Sequence, residues 1–251
     1  MMGGHHAATG AAAWVAVTAT APGLAALHVL PLAPGETALG AVLCAGAALL
    51  PDADHRQATA ARSAGPISEA AASLVSTISG GHRHGTHSPL AAAVVIALAW
   101  AAWHLSWITT DRYSISWWVC GATIAVLAAF ALRVLKIVSS WTLAWLAGVG
   151  AAAAICLLWP SFLPLLPAIV VIGIVVHLAG DFLTTGGLPV FWPLKVPGPP
   201  LVPHWLWSRG GYIALPVLGD AGSWREWLLL VPISLYALWG VGASLLLLIT
   251  R

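Results

Sequence analysis

Long apolar blocks leave this chain only one solvent to fold in. Stretches suited to about 30 Å of hydrocarbon run from about Ala7 to Leu30, Glu36 to Leu50, Pro89 to Trp107, Ile115 to Leu135, Trp141 to Trp159, Leu163 to Leu183 and Trp227 to Ile249. Of the 251 residues, 60% are hydrophobic and 7% charged, against roughly 25% charged in an ordinary soluble domain. Mean hydropathy is +0.91. These features predict an all-α, polytopic transmembrane helical bundle of about seven membrane helices, forming one membrane-embedded domain over residues 1–251. They exclude a soluble enzyme, a disordered chain and a disulfide-stapled secreted domain. The net charge of +2 is too small and too scattered for a nucleic-acid binder. Cys44, Cys120 and Cys156 lie inside apolar blocks without C-x-x-C spacing and read as small buried hydrophobes.

The first apolar stretch is broken by Pro22-Gly23 and the second is short, so this pair is expected to be tilted, kinked or re-entrant. No Lys or Arg precedes the first stretch, and the first basic residue is Arg56. A cleaved secretory signal is therefore not expected. Seven crossings place the N-terminus, the loops from Asp52 to Ser88 and from Leu135 to Ser140, and the long loop from Thr184 to Glu226 on one face. That face carries Arg56, Arg62, Arg83, Arg133, Lys136, Lys195, Arg209 and Arg225, while the other carries Arg112 and Arg251. By the positive-inside rule the first face is cytoplasmic.

Three polar clusters interrupt this apolar background. L-P-D-A-D-H puts Asp52, Asp54 and His55 directly after a hydrophobic stretch, a donor set suited to a divalent cation. G-H-R-H-G-T-H-S crowds His82, His84 and His87 into a turn before the next membrane helix. His177 and Asp181 are four residues apart in an otherwise apolar helix, hence on one face about one turn apart. Ionisable groups at membrane depth are costly unless paired or metal-bound. Each cluster also has a structural reading, as a solvated helix end, a polar turn or a hydrogen-bonded tie between helices. By the crossing count, all three and His5-His6 fall on the same face.

The remaining polar residues carry less. His28 and His104 sit in apolar runs and read as packed or interfacial, whereas His204 lies in the Trp-rich loop and is placed to approach the site. Glu36, Asp111, Asp220 and Glu226 read as helix ends or interfacial charges. Within Asp52 to Ser88, Ile67 to Ile78 is expected to form a short amphipathic helix. The G-G-L-P-V-F-W-P-L-K-V-P-G-P-P-L-V-P-H-W-L-W run is too rich in Pro and Gly for regular helix and suits a Trp-anchored cover at headgroup level.

Taken in order, His6 with Gly10, L-P-D-A-D-H, G-H-R-H-G-T-H-S and H-L-A-G-D-F-L-T-T-G-G-L-P-V-F-W-P resemble the YdjM-like family of inner-membrane, metal-dependent hydrolases over about residues 1 to 200. The resemblance implies a metal site of His6, Asp52, Asp54, His55, His82, His87, His177 and Asp181, with Thr184, Gly187 and Pro193 completing the last motif. It departs at one point: where the family reads H-R-G-x-T-H-S, His84 stands at the Gly position and Gly85 follows. Whether His84 or His5 adds a ligand stays open. An H-x-x-x-D pair with an N-terminal His is also similar, more distantly, to the zinc-dependent phospholipase C and P1 nuclease class, which implies a multinuclear zinc site cleaving phosphoesters.

The expected protein is thus a multi-pass inner-membrane hydrolase holding two or three divalent ions, zinc by its mixed His and Asp donors, at the cytoplasmic face. Asp54 and Asp181 are the expected catalytic carboxylates and Arg83 the expected phosphate-binding residue. The expected partners are the bilayer and a lipid or lipid-linked phosphoester. The alternatives are a divalent metal-ion transporter using the same cluster, and a catalytically inert scaffold.

Overall fold

The computed structural model describes residues 1–250 except 56, 57, 59, 105, 106, 109 and 110. Arg56 and Arg251, counted in the charge argument, lie outside the described residues. Eight α-helices form the described part: α1 Gly3–Thr18, α2 Pro34–Ala47, α3 Pro66–Ser79, α4 Pro89–His104, α5 Ile115–Val134, α6 Trp141–Leu158, α7 Leu166–Phe182 and α8 Trp224–Ile249. Five described helical segments are long and apolar enough to cross a membrane: Pro34–Asp54, Ile115–Val134, Trp141–Leu158, Pro160–Phe182 and Trp224–Ile249. Two of these include 3-10 turns, Pro51–Asp54 after α2 and Pro160–Leu165 before α7. Helices α1 and α4 are shorter, at 16 residues each.

The first apolar stretch was expected to run to Leu30, but α1 stops at Thr18. Pro22 disfavours helix in the residue before it and clashes with the carbonyl four residues back, so the helix ends ahead of it. The following chain folds back on the helix end. Leu27, Leu30 and Leu32 donate their N–H groups to the carbonyls of Ala16, Val17 and Thr18 at 2.6, 3.1 and 3.0 Å, satisfying acceptors that a helix C-terminus leaves open. Other boundaries follow local chemistry. Pro34, Pro66 and Pro89 start their helices, where the missing N–H costs nothing. Ser114, Ser140 and Ser223 cap α5, α6 and α8 by accepting the N–H of Trp117, Leu143 and Glu226.

Helix α2 is central and touches α1, α5, α7 and α8; α6 packs on α5, and α4 on α7. Small residues set this arrangement. A Cβ on Gly10 would lie 2.6 Å from the Cys44 carbonyl oxygen, and one on Gly173 would lie 2.5 Å from the Ala47 Cβ. Both glycines let backbones approach as membrane helices do. The outward faces are correspondingly large and apolar, including Leu228, Leu235, Leu238 and Leu246 of α8. Lipid makes such exposure cheap. Helix α3 confirms the expected short amphipathic element, burying Ala72 and Ser79 while exposing Ile67, Leu74 and Ile78.

The segment over residues 184–223 contains no strand or α-helix, only isolated bridges pairing Thr184 with Gly219, Leu188 with Ile213 and Trp207 with Ile213. Leu215 N–H donates to the Phe182 carbonyl at 2.8 Å and Leu218 N–H to that of Leu183 at 3.0 Å. These bonds fasten the segment across the C-terminal end of α7. The start of α1, the end of α2, the 82–88 turn, the end of α7 and the start of α8 therefore meet at one end of the bundle.

Candidate metal centre

Each element contributes to this meeting point for a local reason. Gly10 draws α1 against α2, and His6, one turn earlier, faces α7; its ring stacks on His177 with centroids 3.7 Å apart. His177 and Asp181 share one face of α7, with His177 Nε2 3.7 Å from Asp181 Oδ2. The 3-10 turn after α2 delivers Asp52, whose Oδ1 lies 3.4 Å from His87 Nε2 and 3.8 Å from His177 Nε2. His87 Nε2 is 3.3 Å from His177 Nε2 and 3.6 Å from Asp181 Oδ2. Two triads of donor atoms result, His6, His177 and Asp181 on one side and Asp52, His87 and His177 on the other, each within 4.8 Å.

Asp54 is buried beside them and organises the histidine turn. Its Oδ1 accepts His82 Nδ1–H at 2.8 Å, its Oδ2 accepts the Arg83 N–H at 3.3 Å and the Thr86 hydroxyl, and His87 Nδ1 lies 3.6 Å from that same oxygen. His82 is linked to the centre through Asp54. His55 packs its ring on His82, centroids 4.2 Å apart. All eight sequence-predicted residues thus join one connected network, in which Asp54, His82 and His55 form an outer layer. His84 does not join the triads: its Nδ1–H donates to the His82 carbonyl at 2.9 Å and its ring meets Tyr212.

The donor atoms fit a divalent ion. His6, His87, His177 and Asp181 are fully buried, yet both ring nitrogens of His6 and Oδ2 of Asp181 have no hydrogen-bond partner. Buried polar atoms are normally satisfied, and leaving a carboxylate oxygen and an imidazole bare in an apolar bundle is expensive. His177 donates Nδ1–H to the Ala48 carbonyl at 2.7 Å, which leaves Nε2 as the lone-pair donor facing the cluster. Asp181 presents Oδ1 to His6 Nε2 at 3.3 Å and Oδ2 to His87 and His177 at 3.6 and 3.7 Å. Burial works against a charged His87 ring, but the facing carboxylates of Asp52 and Asp54 outweigh it and push its pKa up to about 9.

Arg83 completes the edge. Its Nη2 lies 2.8 Å from Asp181 Oδ1, the same oxygen that receives the Met1 amino group at 2.6 Å. The T-T-G-G turn after α7 makes room for it: a Cβ on Gly186 would lie 1.9 Å from Arg83 Nη1. Glu226 is a residue that sequence reading placed at a helix end. It is fully buried, pairs with His5, and accepts the N–H groups of Met2 at 2.9 Å and Gly222 at 2.6 Å. It anchors α1, and with it His6, to α8. Its only sequence signal was a carboxylate three residues after Ser223, in the first turn of a membrane helix.

Fold and site together define a polytopic membrane protein with a buried His/Asp cluster at one end of its bundle. The profile of the family described as YdjM inner membrane protein matches residues 1–246. The chain belongs to that family. No curated protein and no solved structure matches it.

Proposed function

We propose that the protein is a membrane-embedded, metal-dependent hydrolase that cleaves a phosphoester of a lipid or lipid-linked substrate at the cytoplasmic face. The observation that carries this reading is that the buried His6 ring and Asp181 Oδ2, both without a hydrogen-bond partner, face His177, His87 and Asp52, with Arg83 at the edge. His6, Asp52, His87, His177 and Asp181 would hold two divalent ions. Mixed imidazole and carboxylate donors favour zinc over magnesium, which prefers oxygen and retains water. Such ions supply Lewis acidity toward a phosphoryl oxygen and make water nucleophilic near neutral pH.

The chain's own residues do the rest. Arg83 orients a phosphate by its planar fork of donors. Asp54 holds the His82 ring and the Thr86 hydroxyl, which fixes His87 in the turn. The side chain of Asp52 is 25% exposed, so this carboxylate stands at the opening, where water and substrate arrive. The distant likeness to zinc phospholipase C and P1 nuclease enters here as chemistry of the same kind.

The transport alternative needs a polar path through the bundle. Directly below His177, Gly173 packs against Ala47 and the Ala48 backbone, and the neighbouring core is apolar, with Cys44, Leu127 and Ile169. This packing supports an enzyme site at one end rather than a conduit. The test is chelation followed by readdition of zinc to the purified protein, assayed on a panel of phospholipids and lipid-linked phosphoesters. Cleavage lost on chelation and restored by zinc is expected; no cleavage in any metal state overturns the reading.

A further inference from the structure

Arg83 faces two ways. Its Nη2 reaches Asp181, while its side chain also lines a cleft of about 330 Å³ between the 82–88 turn and the 184–226 segment. His82, His204, Trp205, Ser208 and Tyr212 line the same cleft. The metal centre and the cleft therefore share a wall one guanidinium thick. That wall is built in: Arg83 holds φ +59°, a conformation uncommon for a residue with a Cβ, and Gly186 leaves the guanidinium its place. The opposite wall is fixed to α7 through Leu215 and Leu218, and paired hydrogen bonds of 2.9 Å join Leu188 and Ile213.

The lining chooses a ligand chemistry. Among the described residues it contains no carboxylate, and the nearby Asp220 is engaged by the Thr185 hydroxyl. Arg83 offers a charged fork and Tyr212 a hydroxyl. The Tyr212 oxygen is 3.4 Å from His84 Nδ1, which already donates to the His82 carbonyl, and 3.5 Å from Nε2, so its hydroxyl has only a long contact to give up to a ligand. Burial pushes the Tyr212 pKa up against the pull of Arg83, so the hydroxyl remains a donor. Convergent donors without an acid recognise an anion with several acceptor oxygens.

The mouth is of the opposite character. Trp205, part of the lining, is 62% exposed. A free anion gains nothing from such a rim, whereas an apolar chain does. The volume is near the lower end of small-molecule sites, about 300 to 1,000 Å³, so a headgroup fits inside and a chain must leave across the rim. We infer that this cleft is the headgroup subsite of the centre and takes the phosphate of an anionic amphiphile, with Arg83 and Tyr212 donating to its oxygens and Trp205 against the start of its chain. The inference rests on the hydrolase reading for the fate of the bound phosphoester.

The test is calorimetric binding to the zinc-loaded, full-length protein in phosphatidylcholine nanodiscs. Two probes are compared: a dihexanoyl phosphonate analogue of phosphatidic acid, which binds without being cleaved, and inorganic phosphate. The analogue is expected to bind more tightly than phosphate. Tyr212→Phe should weaken both by roughly three- to tenfold, as for one hydrogen bond. Trp205→Ala should weaken the analogue by roughly tenfold and leave phosphate unchanged, and both variants should keep the wild-type zinc content. If neither substitution changes the analogue's affinity, or if phosphate binds as tightly as the analogue, the subsite is overturned. Turnover indifferent to both substitutions would remove the subsite and leave the hydrolase standing. Binding with these dependences but no turnover on any phosphoester would keep the subsite and remove the hydrolase.

Discussion

The His177 ring donates its Nδ1–H to the Ala48 backbone carbonyl at 2.7 Å, joining α7 to the end of α2 at the level of the candidate metal centre. The bond selects the tautomer whose Nε2 lone pair faces Asp52, His87 and Asp181. One turn earlier on α7, Gly173 lies against Ala47 and the Ala48 N–H. The position of a candidate metal donor is thus set by backbone packing between two helices.

Enlarging that contact should damage the centre from a distance. Gly173→Leu has no room and is expected to destabilise the bundle by about 1–3 kcal/mol and to lower zinc affinity by roughly 10–100-fold. Gly150→Leu, on α6 with nothing within 4 Å of the added Cβ, should leave both unchanged. Thermal melts and zinc titration of the two variants check this; equal affinities would break the link between packing and ligation.

Metal content should depend on residues far apart in sequence. His6→Ala, His177→Ala and Asp52→Ala are each expected to cut bound zinc below half of the wild-type stoichiometry, since a donor missing from the inner set is not replaced. His104→Ala, whose ring packs only on Trp100 among the described contacts, should retain it. Elemental analysis of the purified variants decides the point, and a zinc content indifferent to all three inner donors would contradict the site.

Much of this was legible in the sequence because membrane helices and clustered His and Asp residues both leave strong local marks. Apolar length announced α5 to α8, and the clusters around Asp52, His87 and His177 stood out against a chain with 7% charged residues. What was not legible depended on packing. In the stretch from Ala7 to Leu30 the break at Pro22-Gly23 was legible, but hydropathy does not distinguish a kinked helix from a chain folded back on one, so the end of α1 at Thr18 was not. Glu226 looked like an ordinary first-turn carboxylate until α1 was brought against it. Gly186 and Tyr212 acquire meaning only once the 184–226 segment lies beside Arg83. The layering of the eight candidates, with His82 and His55 behind Asp54, follows from side-chain directions that spacing does not encode.

Zinc uptake should be proton-linked through His87. With a pKa near 9 in the metal-free centre, the ring is protonated throughout the neutral range, and a metal needs it neutral. Binding therefore releases a proton, and apparent affinity should rise with pH by roughly tenfold per unit up to about pH 9. Chelator-competition titrations at pH 6.5 and 7.5 measure the slope, and His87→Asn should flatten it. A slope of zero in the wild type would contradict a ligand role for His87.

The metal end of the bundle is expected to face the cytoplasm. The turn between α5 and α6 lies at that end, because Leu135 and Ile137 border the same groove as Gly4 at the start of α1, and it carries Lys136 beside Arg133. A reporter inserted between Ile137 and Ser140 should be active only in its cytoplasmic form. A periplasmic signal there would invert the orientation and move the proposed substrate to the other leaflet.

Asp181 offers the most direct test of the central claim, since its two oxygens face the two halves of the centre. Asp181→Asn keeps the shape and removes the charge. In zinc-loaded proteoliposomes, wild-type protein is expected to cleave a phosphoester substrate without moving zinc across the bilayer, and Asp181→Asn to lower turnover by at least about a hundredfold, the scale of a single catalytic interaction. Zinc flux through the wild type, abolished by Asp181→Asn and unaccompanied by hydrolysis of any phosphoester tested, would contradict the account and establish the cluster as a transit site.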